Sequence, residues 1–401
     1  MRRTKRCVMM AVLALVGFTG IHVFPCTIFN AAKNGNVLAG NNEDMFSTDT
    51  KVWFIPGKEG KFGVVYVGFA NYGKQGAMND QGLFFDANAL KYAKMKPQPD
   101  KPSIPEDRDV LMMIMEECAT VADVIALFSE YNLEGFDNGQ VQFADKTGDA
   151  AVIGADKNGE MFVIRKKGVF QVSTNFSLAN PEFGGYSYPC PRYDIATEML
   201  ANMQDLTVDY FRAILSAVHS EGSSPTVYSN ICDLTNGDIY IYNFHNFEEE
   251  VKFNLDEELK KGEQAYTIAE LFARKTNAQI RFEEGLEKQL STVLLKSIES
   301  KGIQSAIKEF RKSKDEYSEI PGQLGKVAFL LRIKGQMDSA LEICKLCVKE
   351  FPKLPAAHKM LGDLYSLSGD SKKAIKSYRK TLKLDPENSD VSALIEELEG
   401  K

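Results

Sequence analysis

Cys26-Thr27-Ile28-Phe29-Asn30, followed by Leu38-Ala39-Gly40-Asn41-Asn42-Glu43-Asp44, is the stretch on which this chain's fold turns. Its short apolar runs, broken by Lys, Asn and Gly, read as hairpin strands. Cys26 stands just after an apolar leader. Cut at that point, the chain would begin with a residue that carries both a thiol and an α-amine. Such an amine has a reference pKa of about 7.7–8.0, so near neutral pH part of it is unprotonated and acts as a base. Nucleophile and base then share one residue, which is one way to activate a weak nucleophile. The rest of the first domain would hold a scissile carbonyl against that thiol.

Residues 1–25 read as an export signal. Met1-Arg2-Arg3-Thr4-Lys5-Arg6 is basic, and Val8 to Phe18 is apolar but too short to span a bilayer comfortably. No other stretch qualifies as a membrane helix. A periplasmic or secreted bacterial protein is expected. Phe24 and Pro25 are poor residues just before a cut. A cut near Thr19 or Gly20 would leave a few residues for self-processing or a second protease. The other fate of such a cysteine is lipidation, which calls for small residues at the two preceding positions; Phe24-Pro25 do not fit.

The 401 residues are more than one core usually holds, and 44% hydrophobic with 10% aromatic residues is ample for packed cores. The net charge is −7, and the leader holds four basic residues, so the remainder is more acidic still. That argues against nucleic acid or an anionic membrane as partner. There are seven cysteines, one of them in the leader, with no dense disulfide spacing. Cys118 lies in an apolar helical run and reads as core. A Cys190–Cys232 pair is left open.

From Cys26 to about Asn246, strands alternate with helical blocks. Strands are expected at 26–29, 37–40, 51–55, 63–69 and 82–86, then at 141–144, 150–153, 161–165 and 169–173, and finally in a hairpin at 227–233 and 239–243. Helical spacing marks 109–117, 121–131, 192–203 and 207–219. The order implies two sheets with helices outside them, an α+β layered domain over 26–254. From 255 to 401 strand signals vanish and helical periodicity runs on. Ala306, Ala340 and Ala374 are 34 apart, as are Gly335 and Gly369, and Pro352 and Pro386. With Leu361-Gly362, Tyr365, Tyr378 and Asp385-Pro386, this period resembles the tetratricopeptide repeat, clearest over 321–388 and with a weaker repeat ahead of it. Repeats of this kind imply a protein or peptide partner. Cys344-Lys345-Leu346-Cys347 has the form of a redox or metal motif. Both cysteines, however, fall where the repeat's second helix packs inward, and no second pair stands at zinc spacing, so they read as core and no metal is expected.

Residues 26–246 resemble the cysteine branch of the N-terminal nucleophile hydrolases, the choloylglycine hydrolase, penicillin V acylase and acyl-coenzyme A:6-aminopenicillanic acid acyltransferase group. Five segments carry the resemblance, in order: Cys26-Thr27; Gly40-Asn41-Asn42-Glu43-Asp44; Met78-Asn79-Asp80-Gln81-Gly82-Leu83 with Asn88; Ser173-Thr174-Asn175-Phe176; and Thr226-Val227-Tyr228-Ser229. The resemblance implies a four-layer αββα domain ahead of the all-α repeats. It implies Cys26 as nucleophile and Asp44 as holder of the terminal amine. The Asn175 side chain and the Asn88 backbone N–H would be the oxyanion donors. Asn41, Asn42 and Phe176 are the candidate substrate-binding positions. Taken singly, Asn42-Glu43-Asp44 also reads as a solvated turn, Asn175 as a strand-end cap and Asn88 as an N-cap. Bile-salt and penicillin hydrolases of the group carry an arginine where this chain has Asn41, and another near Val227. Their absence favours the acyltransferase-like side, with Arg192 or His219 as the residues to compensate. The resemblance thus implies hydrolysis of a linear C–N amide through an acyl-thioester, on a small-molecule substrate and without metal or organic cofactor. The alternatives are acyl transfer to an amine and a silent scaffold acting through the repeats.

Overall fold

The computed structural model describes residues 26–90, 95–105, 108–133, 138–182 and 188–399; the expected leader, 1–25, lies outside them. They fall into two units that divide between 276 and 277.

The first unit is built on fourteen strands: β1 (Thr27–Lys33), β2 (Asn36–Asp44), β3 (Thr50–Ile55), β4 (Val64–Phe69), β5 (Lys74–Asn79), β6 (Leu83–Ala89), β7 (Gly139–Asp145), β8 (Ala150–Ala155), β9 (Met161–Arg165), β10 (Phe170–Ser173), β11 (Thr226–Asp233), β12 (Asp238–Asn243), β13 (Asn246–Asn254) and β14 (Gln264–Thr267). They form two antiparallel sheets. One has six strands in the order β10-β1-β2-β11-β12-β13; the other has eight in the order β14-β3-β4-β5-β6-β7-β8-β9. The β1–β2 hairpin turns on Asn34 and Gly35, both at positive φ (55° and 83°), the conformation that matches the twist of the strands it joins.

Helices cover the outer faces. Helices α1 (Val110–Glu117) and α2 (Val121–Glu130) lie on the eight-stranded sheet, where Ile114 and Phe128 join Trp53, Tyr66, Phe85 and Phe143. Asp109 caps α1, and Thr120 with Asp123 forms a capping box on α2. Helices α3 (Pro191–Ala201) and α4 (Val208–Ala217) lie on the six-stranded sheet, where Leu200, Phe211 and Leu215 pack on Phe29, Leu38 and Ile231. Between the sheets apolar residues such as Ile28, Phe54, Phe84 and Ile241 are buried beside a set of polar contacts. Ser173 Oγ donates to Gln142 Oε1 at 2.7 Å, and Gln140 Nε2 donates to the carbonyls of Thr174 and Phe176, both at 2.8 Å. The unit therefore has the expected four layers.

Its boundary differs from the expected one at 254. After α5 (Leu255–Lys260) the chain returns as β14 and pairs with β3, Ala265 opposite Trp53, before the unit ends at 276. Four residues of edge strand carry too little alternation to be seen in sequence.

The second unit is all helix: α6 (Asn277–Glu287), α7 (Leu290–Lys301), α8 (Ile303–Ser313), α9 (Ile320–Ile333), α10 (Met337–Glu350), α11 (Pro355–Leu367), α12 (Ser371–Leu384) and α13 (Ser389–Glu399). The pairs α9/α10 and α11/α12 coincide with the two expected repeats. Gly335 and Gly369 stand at the equivalent turns with φ of 73° and 80°, where a side chain would be strained. Cys344 and Cys347 are buried in α10 among Leu324, Ala328 and Leu331.

Gly362 in α11 sits under the Tyr378 ring of α12; a Cβ there would lie 2.5 Å from Tyr378 Cε1. Gly362→Ala is expected to lower stability by about 1–3 kcal/mol, the usual cost of overpacking a filled core. Gly285 in α6 has open space around its Cβ direction. Gly285→Ala should raise stability by about 0.5–1 kcal/mol through helix propensity alone. Opposite shifts in the thermal unfolding of the full chain check both; a neutral Gly362→Ala would contradict the packing.

Candidate active site

Cys26 stands immediately before β1, the second strand of the six-stranded sheet, and is 4% exposed. Strand alternation sets what it faces. Ile28 lies opposite Asn41 and Asn41 opposite Asn230, while Glu43 lies opposite Tyr228. Opposed residues share a face and successive residues alternate. Cys26, Asn41, Glu43, Tyr228 and Asn230 therefore look toward the other sheet, and Thr27, Asn42 and Ser229 look toward the helices. Cys26 Sγ lies 3.6 Å from Glu43 Oε2. A bulge at Val227 keeps Thr226 opposite Asp44, and the Thr226 hydroxyl donates to Asp44 Oδ1.

Three more elements close on the cysteine. Asn88, near the end of β6, donates from Nδ2 to the Cys26 carbonyl at 3.3 Å. Arg192, in the first turn of α3, donates from Nη1 to the same carbonyl at 3.0 Å and to Thr27 Oγ1 at 2.8 Å. Its Nη2 donates to Asn175 Oδ1 at 3.4 Å, and Asn175 Nδ2 donates to the Ala89 carbonyl at 3.1 Å. Gln140, by holding the carbonyls on either side of Asn175, fixes where that residue stands.

Burial dominates the electrostatics. It pushes the Cys26 thiol well above its ordinary value, and the carboxyls of Glu43, Asp44 and Asp86 push it further, while the Asp44 backbone draws it back. Asp44 is raised to about 7 by burial, against the pull of the Thr226 hydroxyl, the Arg192 guanidinium, Ser220 and His219. Glu43 is raised by burial and then by Asp44; Asp86 is raised by burial and then by Glu43.

Of the residues singled out in the sequence, Cys26, Asp44, Asn88 and Asn175 come together with Arg192. Asn41 lies on the inner face, where it draws the Glu43 carboxyl down. Asn42 does not join them. It donates from Nδ2 to the Leu215 carbonyl at 2.9 Å and accepts from Ser229 Oγ at 2.6 Å, so its amide ties β2 to α4 on the helix side. Between Asn41 and Glu43, alternation turns it toward the helices. Phe176 is buried, and its ring meets those of Tyr193 and Tyr188 edge-on at 5.1 and 5.6 Å. His219 stacks on His245 at 4.9 Å, beside Asp44 rather than the thiol. All six cysteines of the described residues, Cys190 and Cys232 included, are free. Among those residues no three His, Cys, Asp or Glu side chains form a metal-binding group, and no helix is long and apolar enough to cross a membrane.

Glu43, Asp86 and Gln140 received no role from the sequence. The available signal was a charged or amide side chain inside a strand otherwise buried throughout, as at Asp86 after Leu83-Phe84-Phe85.

Residues 355–388 match the family model for the tetratricopeptide repeat. Among solved structures, the chain is similar to the conjugated bile acid hydrolase of Clostridium perfringens, with a TM-score of 0.47 and 17% identity over 60% of this chain and 96% of that one. It is also similar to the penicillin V acylase of Agrobacterium tumefaciens, with a TM-score of 0.48 and 14% identity over 60% and 90%. The first such domain of human RPAP3, a tetratricopeptide repeat structure, matches with a TM-score of 0.21 and 19% identity over 28% of this chain and 87% of that one. A sequence comparison with curated proteins finds no match.

Proposed function

We propose that the first unit is an exported hydrolase of linear C–N amides whose nucleophile is Cys26, freed as the chain terminus by removal of residues 1–25. The observation that carries this reading is the convergence of Asn88, Arg192 and Asn175 on a buried cysteine flanked by the Asp44 and Glu43 carboxyls. A buried structural thiol needs no such array.

The chemistry balances on these groups. The freed α-amine takes the thiol proton as sulfur attacks the amide carbon. Asp44, held by Thr226, orients the neutral amine with its lone pair turned to sulfur and then pairs with the ammonium that proton transfer leaves. The carbonyl oxygen becomes an oxyanion facing the amide N–H of Asn175 not engaged by Ala89, and one such donor typically accounts for about 10²–10³ in rate. The Asn88 backbone N–H, opposite Gln140 in the β6–β7 ladder, is turned to that strand and does not join it. Collapse passes the ammonium proton to the leaving amine and leaves an acyl-thioester on Cys26. Water then attacks the thioester, with the α-amine again as base, and releases the acid. Asn175, positioned by Gln140 and Arg192, donates without bringing charge. The amine supplies the base that a high thiol pKa makes necessary.

The test is the intact mass and N-terminal sequence of the protein from an exporting host, with amide turnover measured on the same sample. A chain beginning at unmodified Cys26 that cleaves amides is expected. A chain that begins upstream yet turns over equally fast, or a lipid on Cys26, would overturn the proposal.

The helical repeats are proposed to bind a protein or peptide partner, on the strength of the matched repeat at 355–388.

A further inference from the structure

The layer between the sheets holds a polar cluster for which bond cleavage alone gives no reason. Asn30, Glu43, Tyr228 and Asn230 come from the six-stranded sheet, Asp86 and Asn88 from the eight-stranded one, and none is more than 2% exposed. Glu43 joins the cluster to the nucleophile, its Oε2 lying 3.6 Å from Cys26 Sγ. Gly76, opposite Asp86 in the ladder, makes room for it: a Cβ at 76 would lie 2.3 Å from Asp86 Oδ2.

The hydrogen bonding of this cluster is incomplete. Asp86 Oδ2, Asn88 Oδ1, Asn230 Oδ1, both polar atoms of Asn30 and the Tyr228 hydroxyl have no partner. The amide orientations follow from neighbours: Asn88 Nδ2 faces the Cys26 carbonyl and Asn230 Nδ2 faces Cys232 Sγ at 3.7 Å. Buried polar groups are almost always paired, because one left unpaired forfeits its hydration with nothing in return. Here the unpaired atoms are mostly acceptors. The two carboxyls, Glu43 and Asp86, are pushed up by burial, and Glu43 pushes Asp86 further; no lysine or arginine is among the main influences on either. What completes the cluster brings N–H donors to its open acceptors, and a positive charge there would offset the burial of the two carboxyls.

We infer that this inter-sheet cluster receives a protonated amine on the acyl part of the substrate, so that the substrates are amides of short amino acids. Glu43 and Asp86 accept from the ammonium, with the carbonyl oxygens of Asn88, Asn230 and Asn30 around it. Glu43 belongs to the cluster and touches Cys26 Sγ, which sets the amine within a few bonds of the scissile carbonyl. The freed α-amine of Cys26 does not fill this role, because in the proposed mechanism it is turned to Asp44 and surrenders its charge in each turnover. The inference rests on the proposed hydrolysis only in calling the ligand a substrate.

The test is therefore made on inactive protein. A Cys26→Ala chain beginning at residue 26 is titrated calorimetrically with glycinamide and with propionamide, which has the same size and no charge. Glycinamide is expected to bind at least about tenfold tighter, the scale of one charge-assisted hydrogen bond. Asp86→Asn should erase the preference, and so should Glu43→Gln. Both replace a buried acid by a neutral isostere, so an undiminished unfolding temperature is expected and serves as the folding control. Equal binding of the two probes, binding of neither, or a preference that survives both substitutions would overturn the inference. So would a crystal soaked in glycinamide that shows only water between the sheets. None of these outcomes depends on turnover, so failure here leaves the proposed hydrolysis to its own mass and activity measurement.

Discussion

Cys26→Ala is expected to abolish amide turnover, with kcat falling on the order of 10⁶-fold, the scale seen when an acyl-enzyme nucleophile is removed. The fold should survive. The side chain lost is small, and burial with the Glu43, Asp44 and Asp86 carboxyls holds the thiol neutral, so its removal leaves no unpaired charge of its own and gives up only the contact with Glu43. Thermal unfolding little changed, beside lost turnover, is the expected pair of results. Cys26→Ser sharpens the experiment, because it keeps a nucleophilic oxygen and the terminal amine. A serine hydroxyl is harder to deprotonate than a thiol, so the amine becomes too weak a base and turnover should fall nearly as far. A Cys26→Ala chain that retained its full biological effect would transfer the function to the repeats and make the first unit a scaffold.

The two units differ in how much of them the sequence reveals. In the second, the 34-residue period places Ala340 and Ala374 at equivalent helix positions and Gly335 and Gly369 at equivalent turns, and the helices follow it closely. A repeat states its pattern more than once, so each copy checks the other. In the first unit the central hairpin and most strands are legible from alternation, but β5, β13 and β14 are not. Lys74-Gln75-Gly76 opens β5 with two polar residues and a glycine, and the glycine is there to clear Asp86 on the neighbouring strand. Glu248-Glu249-Glu250 runs through β13 at the edge of its sheet, exposed throughout, so no buried face imposes alternation. In both strands the deciding contact is made with a strand distant in sequence or with solvent. The candidate site shows the same division. The order of the five segments pointed to Cys26, Asp44, Asn88 and Asn175, which do meet. That Asn42 turns to α4, and that Gln140 anchors the segment carrying Asn175, depends on which strand lies across from which. Spacing along the chain does not encode that.

Asp44→Asn should separate activity from stability, with opposite signs. Burial holds the Asp44 carboxyl at about 7 in the folded chain, against an ordinary value of 3.8. Folding therefore takes up a proton between those two values. The carboxyl costs the fold nothing at pH 3 and progressively more as pH rises through the window, and the cost is complete above about pH 7. Its full extent is on the order of 4 kcal/mol. With Cys26 still in peptide linkage to an upstream residue, Asp44→Asn should raise the unfolding temperature at pH 8 and leave it unchanged at pH 3. Once the terminus is freed, its ammonium faces the carboxylate and offsets part of that cost, so the gain from Asp44→Asn should shrink. Activity should move the other way. The asparagine side chain donates as well as accepts, so it no longer fixes the amine with its lone pair on sulfur, and a displaced base typically costs about 10² in rate. Unfolding curves at pH 3 and pH 8 on both forms, with kcat on the freed one, check each part. Equal stabilisation in the two forms would mean that the α-amine does not reach Asp44, and the base would then have to be sought in Glu43, the carboxylate already 3.6 Å from the sulfur.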